Sequence, residues 1–113
     1  MPNPCCDYLP ASGSVGVAPV LLSKGAGQLN GWYLFNSNPI VVYLQVFDAG
    51  SKDAVTPGST LPKLSLGLPP GGGANLFADR ICDIHDGIVI ACTTTRAGNG
   101  AAANPLDYNI FFS

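Results

Sequence analysis

Ile40-Val-Val-Tyr-Leu-Gln-Val-Phe47 holds four β-branched and two aromatic residues in eight, the composition that suits a pleated, half-buried strand. Gln45 orients it. Side chains alternate across a strand, so Gln45 shares its side with Tyr43 and Phe47, and Val42, Leu44 and Val46 turn toward a core. The side away from the core is then aromatic and only half polar. Upstream, Leu29-Asn-Gly-Trp-Tyr-Leu-Phe35 is also strand-like, and Asn36-Ser37-Asn38-Pro39 between the two is a strong turn signal. The expectation is a hairpin joining them. Downstream, Asp48 to Pro62 reads as a polar loop with Pro57-Gly58 at its tip. Lys63-Leu-Ser-Leu-Gly-Leu68 then alternates with period two, placing Leu64, Leu66 and Leu68 inward.

Pro69-Pro70-Gly71-Gly72-Gly73 stops that strand, and Ala74 to Phe77 begins another. Asp86-Gly87 introduces Ile88-Val-Ile-Ala-Cys-Thr-Thr-Thr95, rich in β-branched residues. A side-chain-poor loop, Arg96 to Pro105, precedes a last strand, Leu106-Asp-Tyr-Asn-Ile-Phe-Phe112. Seven or eight strands without a helical pattern of useful length predict an all-β fold, an antiparallel β-sandwich with jelly-roll or Greek-key connections. Residues 29–113 would form this domain, and residues 1–28, rich in Pro, Gly and Ser, an extended N-terminal arm. The arm's one apolar stretch is Val15-Gly-Val-Ala-Pro-Val-Leu-Leu22, in which Pro19 permits only an edge strand or a break. Val17, Val20, Leu21 and Leu22 could anchor it on a neighbouring subunit or on its own domain.

Charge is scarce. Of 113 residues only 12 are Asp, Lys or Arg, with no Glu, while 47% are hydrophobic. A folded monomer of this mass exposes about 5,800 Å², so each charge keeps about 490 Å² wet. Such a deficit points to a surface that other subunits cover. The net charge of −2 and the scattered Lys24, Lys52, Lys63, Arg80 and Arg96 leave no footprint for nucleic acid. No apolar run approaches the length of a membrane helix, and the first residues lack the pattern of a signal peptide, so the chain is expected to be made and assembled in a cytoplasm. Cys5, Cys6, Cys82 and Cys92 are accordingly expected as reduced thiols. With a two-residue turn at Asp86-Gly87, Cys82 would lie opposite Ala91 rather than Cys92. Zinc would need Cys5 and Cys6 to join Cys82, Cys92 or His85, and adjacent cysteines do not readily face one ion. No metal and no cofactor is expected.

Tyr43-Leu-Gln-Val-Phe-Asp48, a Pro-bearing loop, Leu61-Pro-Lys-Leu-Ser-Leu-Gly-Leu-Pro69 with glycines after it, Asp86-Gly-Ile-Val-Ile-Ala-Cys-Thr-Thr-Thr95 and Asn109-Ile-Phe-Phe112 follow in an order that resembles small β-sandwich proteins of tailed-phage virions. The chain departs from that pattern at Asp79-Arg80, where apolar residues or Gly would stand, and in its long N-terminal segment. The resemblance implies a non-enzymatic structural protein. It would be a capsid decoration or cement protein on the major capsid shell, a head-fibre subunit or a tail-associated module. A homo-oligomer on the virion surface, assembled in the host cytoplasm, is the matching expectation. Partner-binding candidates are Val17, Val20, Leu21, Leu22, Tyr43 and Phe47. The alternative is a receptor- or glycan-binding module of a head fibre or tail, with Trp32, Tyr33, Tyr43 and Phe47 as an aromatic platform. His85, between Asp83 and Asp86, reads as a solvated turn residue rather than a catalytic base. The spacing of Asp79, Asp83 and Asp86 fits no calcium loop.

Overall fold

Val42, Leu44 and Val46 are fully buried, as their alternation requires, on an inner strand of one of two packed sheets. The computed structural model describes residues 9–113. It contains β1 (Leu9–Val15), β2 (Val20–Lys24), β3 (Gly27–Phe35), β4 (Val42–Asp48), β5 (Leu64–Leu68), β6 (Gly73–Ile84), β7 (Gly87–Thr93) and β8 (Leu106–Phe112). Sheet A has the order β1-β8-β3-β6 and sheet B the order β2-β7-β4-β5. Every ladder is antiparallel. The pairings nest: β4 with β5, β3 with β6, β2 with β7, β1 with β8. One long hairpin, rolled so that successive pairs alternate between the sheets, gives this order, which is a jelly roll.

Between the sheets lie Val15, Leu29, Trp32, Leu34, Leu68, Ile84, Ile88, Ile90, Cys92, Leu106, Ile110 and Phe112 beside the three β4 residues. Burying one such large side chain stabilises by about 1.5–3 kcal/mol. Leu64 and Leu66 pack on this core half-buried, because β5 is an edge strand. Punctuation follows the prolines: Pro19 falls in the gap between β1 and β2, Pro69-Pro70 ends β5, and Pro105 precedes β8. At the start of β7, Gly87 has φ +154° and a Cβ there would strike the carbonyl oxygens of Ala49 and Ser23. No other residue fits.

Three expectations are corrected. β3 and β4 are not a hairpin: β3 pairs with β6 and β8, β4 with β5 and β7, and Asn36–Val41 crosses from one sheet to the other. The reason is buried. Asn36 Nδ2 donates to the carbonyls of Ile40, Leu68 and Pro69, fastening the crossing to the end of β5. Likewise Asp86-Gly87 leads from sheet A to sheet B, so Cys82 lies beside Leu29 and Cys92 beside Leu44. The third correction concerns the boundary of the arm, whose described residues take the alternative of anchoring on their own domain. From residue 9 onward it forms β1 and β2, edge strands hydrogen-bonded to β8 and β7 of the same chain, and the expected boundary at 28/29 falls inside β3. Main-chain groups that would otherwise stay open along β8 and β7 are satisfied by it. Cys5 and Cys6 lie outside the described residues.

β6 runs further than expected, to Ile84. Its register with β3 jumps from Leu29↔Cys82 to Gly31↔Phe77, so residues 78–81 bulge opposite Asn30, whose Nδ2 donates to the carbonyl of Asp79.

Candidate functional site

The two outer faces of the sandwich differ in what covers them. On sheet B, Phe47, Val89 and Ala91 form a second buried cluster beneath Val55, which the 49–63 loop lays across them. Gln45 is fully buried too. Its Nε2 donates to Thr93 Oγ1 at 2.6 Å, Gly98 O at 3.1 Å and Thr95 O at 3.3 Å, which folds the start of the 94–105 loop over the sheet. Ser65 Oγ adds a bond to Arg96 O. Beside this roof a cleft of about 410 Å³ is lined by Leu61, Lys63, Ser65 and Arg96.

Among the described residues no loop roofs the rings of sheet A. Trp32 and Leu34 point inward, so Tyr33 and Phe35 point out, and each is 48% exposed. Tyr33 meets Phe111 edge-to-face at 5.3 Å, and Phe77 meets the same ring at 5.4 Å. Tyr33 lies between Asn75 of β6 and Asn109 of β8, and Phe35 beside Asp107. A shallow groove of about 240 Å³ runs between these residues. Asn109 lines it, and its Oδ1 is buried without a hydrogen-bond partner.

The two ends differ in charge. Loops 16–19, 36–41, 69–72 and 94–105 meet at one end and carry one charged side chain, Arg96. Ile40 and Val41 stand open there, 47% and 42% exposed, beside the exposed Pro39, Pro69 and Pro70. Two asparagines make this end rigid. Asn36 Oδ1 accepts from the backbone and side chain of Asn38, and Asn38 in turn exchanges two bonds with the backbone of Asn104. The opposite end gathers Lys24, Asp48, Lys52, Asp53, Lys63, Asp83, His85 and Asp86. At its centre Asp48 accepts from the backbone N–H groups of Asp86, His85 and Gly87, with Lys63 Nζ at 3.8 Å. Burial alone would raise its pKa, but the three N–H groups and the ammonium outweigh burial and hold it below the ordinary carboxylate range.

The expected partner residues scatter over this frame. Val20 and Leu22 pack on the core of their own domain, Val17 is half-buried in the 16–19 loop, and Leu21 is the most open of the four, at 37%. Phe47, 1% exposed, is enclosed by Val55 and presents nothing to a partner. Tyr43 is half-buried against Gly67. The aromatic platform is corrected as well: Trp32 faces the core, Tyr33 lies on sheet A, and Tyr43 and Phe47 lie on sheet B. His85 is exposed. Cys82 and Cys92 are free. Burial pushes the Cys92 thiol up to about 11 and raises Cys82, so both are protonated, weak nucleophiles at neutral pH. Among the described residues no group of three His, Cys, Asp or Glu side chains could hold a metal ion. Among them, too, no helix is long and apolar enough to cross a membrane.

Comparison with family models, with curated proteins and with solved structures returned no match. The groove residues Phe35, Asn75, Asp107 and Asn109 were not anticipated. Period two on β8 carries the signal, since Leu106, Ile110 and Phe112 inward place Asp107, Asn109 and Phe111 outward.

Proposed function

We propose that this chain is a non-enzymatic structural subunit of a tailed-phage virion, most simply a capsid decoration or cement protein that binds the major capsid shell and assembles on it in the host cytoplasm. The observation that carries the reading is the segregation of charge along the sandwich. One end is wet and ionic; the loops of the other carry no charge but Arg96, with Asp107 beside them at the foot of β8, and that end presents Ile40 and Val41 and is braced by Asn36 and Asn38. An apolar platform held rigid in advance loses little conformational freedom on docking. Depletion of charge at its centre is the pattern of an interface core. A jelly roll is also an architecture that capsid proteins use, and the order of motifs from Tyr43 to Phe112 resembles virion sandwiches. Copies side by side on a shell would form the expected homo-oligomer.

Sedimentation of the purified chain, alone and mixed with empty tailed-phage capsids, tests the reading. The wild type should pellet with shells. An Ile40→Asp/Val41→Asp variant should remain in the supernatant with unchanged thermal unfolding, because both side chains are already half in water. A stable monomer indifferent to shells would overturn the proposal.

A further inference from the structure

We propose that the groove on the outer face of sheet A is a binding site for a neutral oligosaccharide, independent of the uncharged loop end. Tyr33 and Phe35 stand two residues apart on one strand, both half open, and their rings are separated by about 7 Å of strand. Each offers a flat apolar face, which suits the C–H face of a pyranose unit. Polar groups converge beside the rings. Asn75 and Asn109 flank Tyr33 from the two neighbouring strands, and Asp107 lies next to Phe35. A carboxamide presents a donor and an acceptor and a carboxylate presents two acceptors, so adjacent sugar hydroxyls find complementary partners at each position.

Two features select the ligand. Asp107 is the one charged side chain lining the groove, which repels uronates, sialic acids, sulfates and phosphates and leaves neutral sugars. Asn109 lines the groove and its Oδ1 is buried and unpaired, a costly state for an acceptor that a sugar hydroxyl reaching it would satisfy. A carboxylate and two carboxamides around two rings also fit a hydroxyl-rich ligand better than the charge-depleted centre of a protein interface.

The test uses the full chain on an array of neutral, sialylated, uronate-bearing and sulfated glycans, followed by titration of the best neutral oligosaccharide by calorimetry. Binding in the millimolar to micromolar range is expected. Tyr33→Ala and Asp107→Ala should each weaken it at least about tenfold, while Leu61→Ser and Ile40→Asp/Val41→Asp leave it unchanged. Should Tyr33→Ala prove unstable, Tyr33→Gln and amide chemical-shift mapping on the wild type replace it, with shifts expected on β3, β6 and β8. Absence of any neutral ligand, preference for acidic glycans, or affinity indifferent to Tyr33 would overturn the proposal. So would loss of shell association in Tyr33→Ala without glycan binding, which would make this face a protein contact. The two proposals fail separately, since the Ile40/Val41 variant reads one and Tyr33 the other.

Discussion

The outer face of sheet B is roofed, and among the described residues nothing roofs the outer face of sheet A, although each carries outward aromatic rings on its inner strands. Phe47 is closed over by Val55, and Gln45 draws the 94–105 loop down onto its sheet. Tyr33, Phe77 and Phe111 cover one another only in part, and Phe35 is half exposed. An aromatic residue pointing away from the main core is therefore not yet a surface residue: what a long loop does above it decides. The longer connections, 49–63 and 94–105, both bend toward sheet B rather than sheet A.

The sharpest break of this comparison is truncation of a ring on each face. Phe47→Ala should cost about 3–5 kcal/mol in urea unfolding, whereas Tyr33→Ala should cost about 1 kcal/mol or less. Equal losses would mean that the roof contributes nothing. Next in size, Gln45→Ala should cost about 2 kcal/mol, since it leaves Thr93 Oγ1 and the Gly98 carbonyl without this donor, while the Thr95 carbonyl keeps the Thr93 hydroxyl. Hydrogen exchange should then rise in residues 94–100 and stay unchanged in β3.

Asp48 tests the root of the other roof loop. Its folded pKa lies below its unfolded value, so its contribution is complete above the ordinary carboxylate range and disappears as pH falls through the folded value. Asp48→Asn should cost about 1–2 kcal/mol at pH 7, and stability measured from pH 7 down to pH 2 should fall less in the variant than in the wild type. The smallest effect concerns the thiols: native Cys92 should resist iodoacetamide at pH 7, react only on unfolding, and lag behind the half-buried Cys82.

Local patterns made the strands legible. Leu106–Phe112 is bounded by Pro105 and alternates cleanly, so it needed no distant information, and Val42, Leu44 and Val46 were placed by one polar neighbour. Connections were harder to read. Asn36-Ser37-Asn38-Pro39 is as good a signal for a sheet crossing as for a hairpin, and the contacts that decide, Asn36 to Leu68 and Pro69, are more than thirty residues away. The roof was invisible for the same reason, because Val55 meets Phe47 only through a long loop. Of the groove, Tyr33 alone was legible, as one ring of an expected aromatic platform. Its partners Asn75 and Asn109 come from strands whose adjacency to β3 follows from the rolled topology alone.

The outermost pair of that roll sets Leu9 beside Phe112, at the ionic end. A reporter protein or purification tag joined after Ser113 would thus emerge on the side facing away from Ile40 and Val41. On the proposed docking through Ile40 and Val41, such a fusion would leave the shell contact clear and point outward, the geometry that a display scaffold needs.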